Sequence, residues 1–224
     1  LFVMVLAVEV IGNLFHFPSG PPPSYENVEG LEQLVHLTYS PIVEEIGFRV
    51  IPIGTYVFFF TLFIGRNVMD SKTRLLKTAV TAFFSPDKAK QAVQVNNVCE
   101  FGFWKGINMM DWGFVALTSL WFGYTHLLYG WQPGKLVTAS MCGVALALTY
   151  LVYGIHAPIL LHWWFNYYLN VYSYANSLIG NFPWILLQNT ILSATVFAGV
   201  LGWIWIIYYK LVKPRKTEGL DQPL

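Results

Sequence analysis

Charge is what this sequence has least of. Only 11% of its 224 residues are Asp, Glu, Lys or Arg and the net charge is +1, which excludes the whole-chain basic field expected of a nucleic-acid binder. Cysteine is nearly absent: Cys99 and Cys142 are the whole supply, and Cys142 sits in an apolar run. No disulfide framework or Cys-based zinc site can be read from two such residues. There is no G-x-S-x-G, and the Ser and Cys residues lack neighbours of the triad kind, so no nucleophile motif offers itself. H-E-x-x-H is missing, as is any internal repeat. The chain opens in LFVMVLAVEV with neither an initiator Met nor a basic n-region; a signal peptide is not expected, and an upstream part is expected to be missing.

What the sequence has in excess is apolar surface. Hydrophobic residues make up 55% and aromatics 17%, and the mean hydropathy is +0.50, so lipid is the expected solvent. A membrane helix needs about 20 mainly apolar residues. On that basis the expected fold is all-α, a polytopic transmembrane bundle of about six spans at 1–17, 39–65, 112–129, 135–153, 156–172 and 183–209. Pro52, Pro158 and Pro183 fall at or near expected ends and bends. Trp112, Trp121, Trp131, Trp184, Trp203, Tyr208 and Tyr209 cluster near span ends, at headgroup level.

Three regions follow: 1–38, an N-terminal transmembrane helix and acidic loop; 39–172, a core that includes the basic loop 66–108; and 173–224, a C-terminal transmembrane helix and basic tail. PSGPPPSYENVEG (18–30) has four prolines, two glutamates and no basic residue, and reads as an extended loop. Loop 66–108 carries Arg66, Lys72, Arg74, Lys77, Lys88, Lys90 and Lys105. Its stretch from Thr73 to Phe84 is expected to be a basic amphipathic helix on the membrane surface, and its charges a topology signal in contact with lipid headgroups. The tail adds Lys210, Lys213, Arg215 and Lys216. The positive-inside rule places both basic regions in the cytoplasm and the acidic loop opposite, and the four spans between the basic regions agree in parity.

Against this background the few polar residues inside apolar segments stand out. In SPIVEEIGFRVIP (40–52), Glu44, Glu45 and Arg49 enter an expected span, where each charge costs at least about 2.5 to 3.5 kcal/mol. Glu45 and Arg49 stand four apart on one helical face and are expected to pair. Glu44 then remains free, about 100° further round, to face a polar cavity. In LWFGYTHLLYGWQPG (120–134), Phe122 and His126 are again four apart, so the ring can pack beside the imidazole and limit its rotamers.

In GIHAPILLHWWFNYYLN (154–170), His162 and Asn166 share a face and make a two-donor site suited to an oxyanion. His16, His36 and His156 are assigned no role. The simplest chemistry of the set is hydrolysis: Glu44, assisted by His126, deprotonates water, and the charge developing on the attacked carbonyl is received by His162 and Asn166. A proton-coupled transporter is the reading from another class, and the lack of repeat halves counts against it.

These residues resemble the CAAX-protease and bacteriocin-processing family, also called the ABI family, which contains the type II CAAX prenyl endopeptidases. Its pattern is E-E-x-x-x-R, then F-x-x-x-H, then H-x-x-x-N or H-x-x-x-D; this chain has EEIGFR at 44–49, FGYTH at 122–126 and HWWFN at 162–166, in that order. The resemblance covers about residues 40–170. It implies a multi-pass integral membrane protease, in the cell membrane if prokaryotic, acting on a peptide or lipidated-protein substrate, with membrane lipid as its other partner and no nucleic acid. It implies that Glu44 and His126 activate water, that His162 and Asn166 form the oxyanion site, and that Glu45, Arg49 and Phe122 support the geometry. The oligomeric state is left open.

The family has often been called metalloprotease, and Glu with two His can bind zinc, but without H-E-x-x-H and with Asn166 a poor ligand no metal or other cofactor is expected. The charge count sets Glu44 and His126 toward the non-cytoplasmic ends of their helices, whereas CAAX processing implies a cytoplasmic opening. The motifs take precedence, because the count rests on a loop of about forty residues. A non-catalytic scaffold or bacteriocin-immunity-type protein of the same fold is the alternative within the family.

Overall fold

Backbone polar groups in hydrocarbon must bond within helices or closed barrels, and this chain takes the first route. The computed structural model describes residues 2–20 and 30–212, and among them it contains helices and no strand. The helices are α1 (Phe2–Leu14), α2 (Gly30–Glu45), a π-helical segment (Ile46–Gly54), α3 (Thr55–Gly65), α4 (Lys72–Thr81), α5 (Pro86–Ala92), α6 (Val98–Phe101), α7 (Phe103–Gly106), α8 (Met109–Leu128), α9 (Gly134–Tyr153), α10 (His156–Leu178) and α11 (Trp184–Val212).

Among the described residues, three helices are long and apolar enough to cross a membrane: Leu31–Gly65, Gly134–Tyr153 and Trp184–Tyr209. That is fewer than the six expected, and the reason lies in the residues. The first expected span is a helix of only 13 residues. Helices do form where 112–129 and 156–172 were expected, with 20 and 23 residues, but their His, Asn, Tyr and Trp side chains hold their hydropathy down. They are the two helices that carry His126, His162 and Asn166. The span expected from residue 39 instead starts at Leu31 and runs 35 residues without a break. At 1.5 Å per residue it is roughly 50 Å long, well beyond the ~30 Å of a hydrocarbon core.

Pro52 lies inside that long helix, not at its end. Its ring removes one N–H and crowds the carbonyl four residues back, and the chain around it adopts the wider π turn, a form common at functional sites. Pro158 stands in the first turn of α10, and Pro183 directly precedes α11.

Helix association in lipid depends on close van der Waals packing more than on burial from water. Accordingly the tightest crossing, α8 on α9, runs through small residues: a Cβ at Gly143 would meet the Ser119 Cα at 2.9 Å, and one at Gly123 would meet the Leu136 carbonyl oxygen at 2.5 Å. Ile53, Val57, Ala82, Val115, Ala147, Tyr150 and Leu151 form the apolar core between the π segment, α3, α8, α9 and the turn after α4. Tyr150 donates there to the carbonyls of Ala82 (3.1 Å) and Phe83 (3.0 Å). Between α9 and α10, Gly154 has φ +83° and its missing Cβ makes room for the Phe84 carbonyl, which accepts from the Ile155 N–H at 3.1 Å.

The basic loop is a folded cap of α4 to α7. The amphipathic helix expected over 73–84 spans Lys72–Thr81, capped by the Ser71 hydroxyl, and exposes Leu76 and Val80 while burying Ala79. Asp87 caps α6 by accepting from the N–H groups of Val98 (2.6 Å) and Cys99 (3.1 Å). Lys90 corrects the surface reading of these cations: it is buried, ion-paired with buried Asp111. Asp111 also closes a capping box with Asn108 at the start of α8. The basic tail beyond residue 212 and residues 21–29 of the acidic loop lie outside the described residues.

Candidate active site

The end of α2, the π segment, α8 and α10 bring the polar residues together. Glu45 and Arg49 pair as their spacing predicts, with Arg49 Nη1 donating to Glu45 Oε1 at 3.1 Å, both side chains wholly buried. Arg49 also donates to the Gly143 carbonyl at 3.4 Å, a group brought within reach by the close α8–α9 crossing. Its guanidinium lies 4.5 Å from the Phe122 ring centroid, a cation–π contact in a dry setting.

His162 joins this pair. Its Nδ1 is 2.8 Å from the same Glu45 Oε1, and its Nε2 is 3.6 Å from Glu44 Oε2. Two expectations change as a result. Glu44 has an imidazole beside it and is not free, and Glu45 is more than the counter-ion of Arg49, because its oxygen also orients the imidazole of α10. The carboxylates still differ in access: the Glu44 side chain keeps 30% of its surface exposed and Glu45 none. Of the two, Glu44 is the one that water or substrate can reach.

One turn along α10, Asn166 Nδ2 donates to Ser40 Oγ at 3.3 Å. Ser40 and Glu44 stand four apart on α2, facing Asn166 and His162, four apart on α10, so two i,i+4 rungs meet. The α2–α10 seam continues with Trp163 donating to the Thr38 carbonyl at 2.6 Å and a Thr38–Tyr167 hydroxyl contact.

His126 enters from α8. Its Nδ1 is 2.8 Å from the Phe122 carbonyl oxygen; a carbonyl only accepts, so Nδ1 carries the proton and Nε2 is the basic nitrogen of the neutral ring. The Phe122 ring stands edge-on between the histidines, 4.8 Å from His126 and 5.8 Å from His162 between centroids. The expected packing of Phe122 beside His126 is present, and Phe122 serves both imidazoles. No hydrogen bond joins His126 to Glu44 among the described residues. Nor do three or more His, Cys, Asp or Glu side chains among them gather as a metal ion requires.

Sequence reasoning missed Ser40 and the Glu45–His162 contact. The four-residue spacing of Ser40 and Glu44 was the available signal for the first. The second joins positions 117 apart, and no local spacing reveals it.

A family model described as type II CAAX prenyl endopeptidase, Rce1-like, matches residues 30–168, more than half of the chain and every residue of this cluster. No curated protein and no solved structure matches.

Proposed function

Because the chain belongs to the Rce1-like type II CAAX prenyl endopeptidase family, a family of membrane proteases, we propose that it is a multi-pass intramembrane endopeptidase cutting a peptide bond near the C-terminus of a lipidated or membrane-bound peptide. On this reading α8 and α10 cross the bilayer with the three more apolar helices, their polar faces turned toward α2 and away from lipid.

The observation that carries the reading is the difference between adjacent carboxylates: Glu45 is sealed between Arg49 and His162, while Glu44 touches the same imidazole and stays partly open. Glu44 takes a proton from water, with the unprotonated Nε2 of His126 assisting across the pocket. The water oxygen bonds to the scissile carbonyl carbon, and negative charge develops on the carbonyl oxygen. His162, doubly protonated between the two carboxylates with its Nδ1–H on Glu45, and Asn166, placed by Ser40, receive that charge through Nε2–H and Nδ2–H. Collapse of the adduct breaks the C–N bond, and the proton on Glu44 passes to the leaving amine.

No step uses a metal. A lipid chain on the substrate stays in the bilayer while the peptide reaches Glu44; each CH2 drawn into water would otherwise cost about 0.8 kcal/mol.

The test is incubation of detergent-purified protein with a farnesylated peptide and its unfarnesylated counterpart, with product masses read by mass spectrometry and a chelator-treated sample alongside. Cleavage close to the C-terminus, favouring the farnesylated peptide and unchanged by chelator, is expected. Activity that disappears with chelator and returns with zinc would overturn the metal-free mechanism, and no cleavage of either peptide would favour a scaffold role.

A further inference from the structure

A half-buried cation, Lys135, stands beside the site without an ion-pair partner among the described residues. Two residues past the end of α8, Gly130 takes a φ of +84° that no side chain adopts easily, and the chain turns back so that the Trp131 N–H donates to the His126 carbonyl at 3.0 Å. The indole therefore comes to lie against the His126 ring, 5.7 Å between centroids. Four residues on, the Lys135 ammonium sits over the same indole at 4.3 Å.

Lys135 is poorly placed for a purely structural lysine. It occupies the first turn of α9, where a cation opposes the helix dipole. No carboxylate of the described residues lies within ion-pair distance of it. Glu9 of α1 stays beyond that distance and accepts from Ser19 at 3.4 Å. The N–H groups at the start of α9 are taken by the carbonyls of Pro18, Gln132 and Pro133, so an anion there would be held by the ammonium and not by the helix end.

We propose that Lys135 binds the free C-terminal carboxylate of the substrate and so sets how far from the chain end the peptide is cut. This rests on the endopeptidase reading. The two ring distances, 4.3 and 5.7 Å, keep the ammonium no more than about 10 Å from the His126 imidazole, so that at most roughly three extended residues at 3.3–3.6 Å each span the gap. A carboxylate carried into a site of low dielectric needs a countercharge; Lys135 supplies one that no acidic side chain of the described residues has taken. The result is a ruler: the carboxylate is anchored at Lys135 and the scissile carbonyl comes to Glu44.

The experiment pairs one farnesylated peptide with a free C-terminus against the same peptide as its C-terminal amide. Cleavage is followed in the parent protein, Lys135→Met and Lys135→Arg; binding is followed by fluorescence anisotropy of labelled peptides on the Glu44→Gln background, with and without Lys135→Met. The parent should prefer the carboxylate by about tenfold or more in both readouts, the scale of one charge-assisted contact. Lys135→Met should erase the preference by weakening the carboxylate peptide alone, and Lys135→Arg should keep most of it. Equal cleavage and equal binding of the two peptides by the parent would overturn the proposal and leave the endopeptidase reading intact, as would a Lys135→Met loss that falls equally on both. Carboxylate-selective binding without cleavage of either peptide would instead retain the anion site and overturn the endopeptidase reading.

Discussion

Two clusters of charge are buried among the described residues, and they differ in what each leaves open. Between α5 and α8, Lys90 and Asp111 are 3% and 0% exposed, and around them Asn108 and the Gly106 carbonyl take up further hydrogen-bonding capacity. That cluster joins the cap to the start of α8 and presents little to solvent. Between α2 and α10, Arg49 and Glu45 are buried as completely, yet His162 links them to Glu44, which remains partly exposed. Burial of charge by itself therefore does not mark a reaction centre. An exposed carboxylate held against a fixed imidazole is the feature that separates the second cluster from the first, and substitutions in the two should fail in different ways.

The largest effect is expected at Glu44. Glu44→Gln keeps size and one acceptor but removes the proposed base, so cleavage should fall about 10³-fold or more while thermal stability in detergent stays near the parent's. Peptide mass spectrometry with a thermal-shift assay measures both; substantial residual cleavage would shift the base role elsewhere. In the closed cluster the pattern should invert. Lys90→Met leaves Asp111 charged and buried without its partner, at a cost of about 3–5 kcal/mol of stability, and the protein that remains folded should cleave at nearly the parent rate. A clear loss of rate per folded molecule would erase the distinction between the clusters.

Asn166→Ala tests the open cluster with less disruption, since a neutral donor is removed and no charge is orphaned. Losing one oxyanion donor costs about 10²–10³ in kcat, or roughly 2.7–4 kcal/mol, with KM little changed. An increase in KM at constant kcat would assign Asn166 to substrate binding.

The local pairs were legible because each is an i,i+4 spacing on one helix: Glu45 with Arg49, Phe122 with His126, and His162 with Asn166. The contacts between helices were not. His162 on Glu45 depends on how α10 lies against α2, and Asn166 on Ser40 likewise. Lys90 was read with its neighbours as a surface cation because its partner Asp111 lies 21 residues on, across two short helices that composition does not reveal. Helical fold class followed from apolar content. More spans were expected than the three helices that are long and apolar enough by themselves among the described residues, because α1 is short and because polar and aromatic side chains lower the hydropathy of α8 and α10, which carry the polar cluster.

The smallest expected effect sharpens the comparison most. Replacing the closed pair together, as Lys90→Met with Asp111→Leu, removes both charges and fills their space with apolar atoms. Buried pairs exchanged in this way are often neutral or stabilising, because the desolvation cost disappears with the attraction. Against that gain, Asp111 also accepts from the Asn108 N–H at 2.8 Å in the α8 capping box, worth about 1 kcal/mol. The double variant should therefore lie within about 1–2 kcal/mol of the parent in stability, far above Lys90→Met alone, and should retain cleavage. The matching exchange in the open cluster, Glu45→Leu with Arg49→Met, also removes an ion pair but strips His162 of the acceptor that orients it, so it should lose cleavage even where stability is kept. Thermal-shift and cleavage assays on the two double variants measure this directly: if both retained activity, Glu45 would be a counter-ion and nothing more.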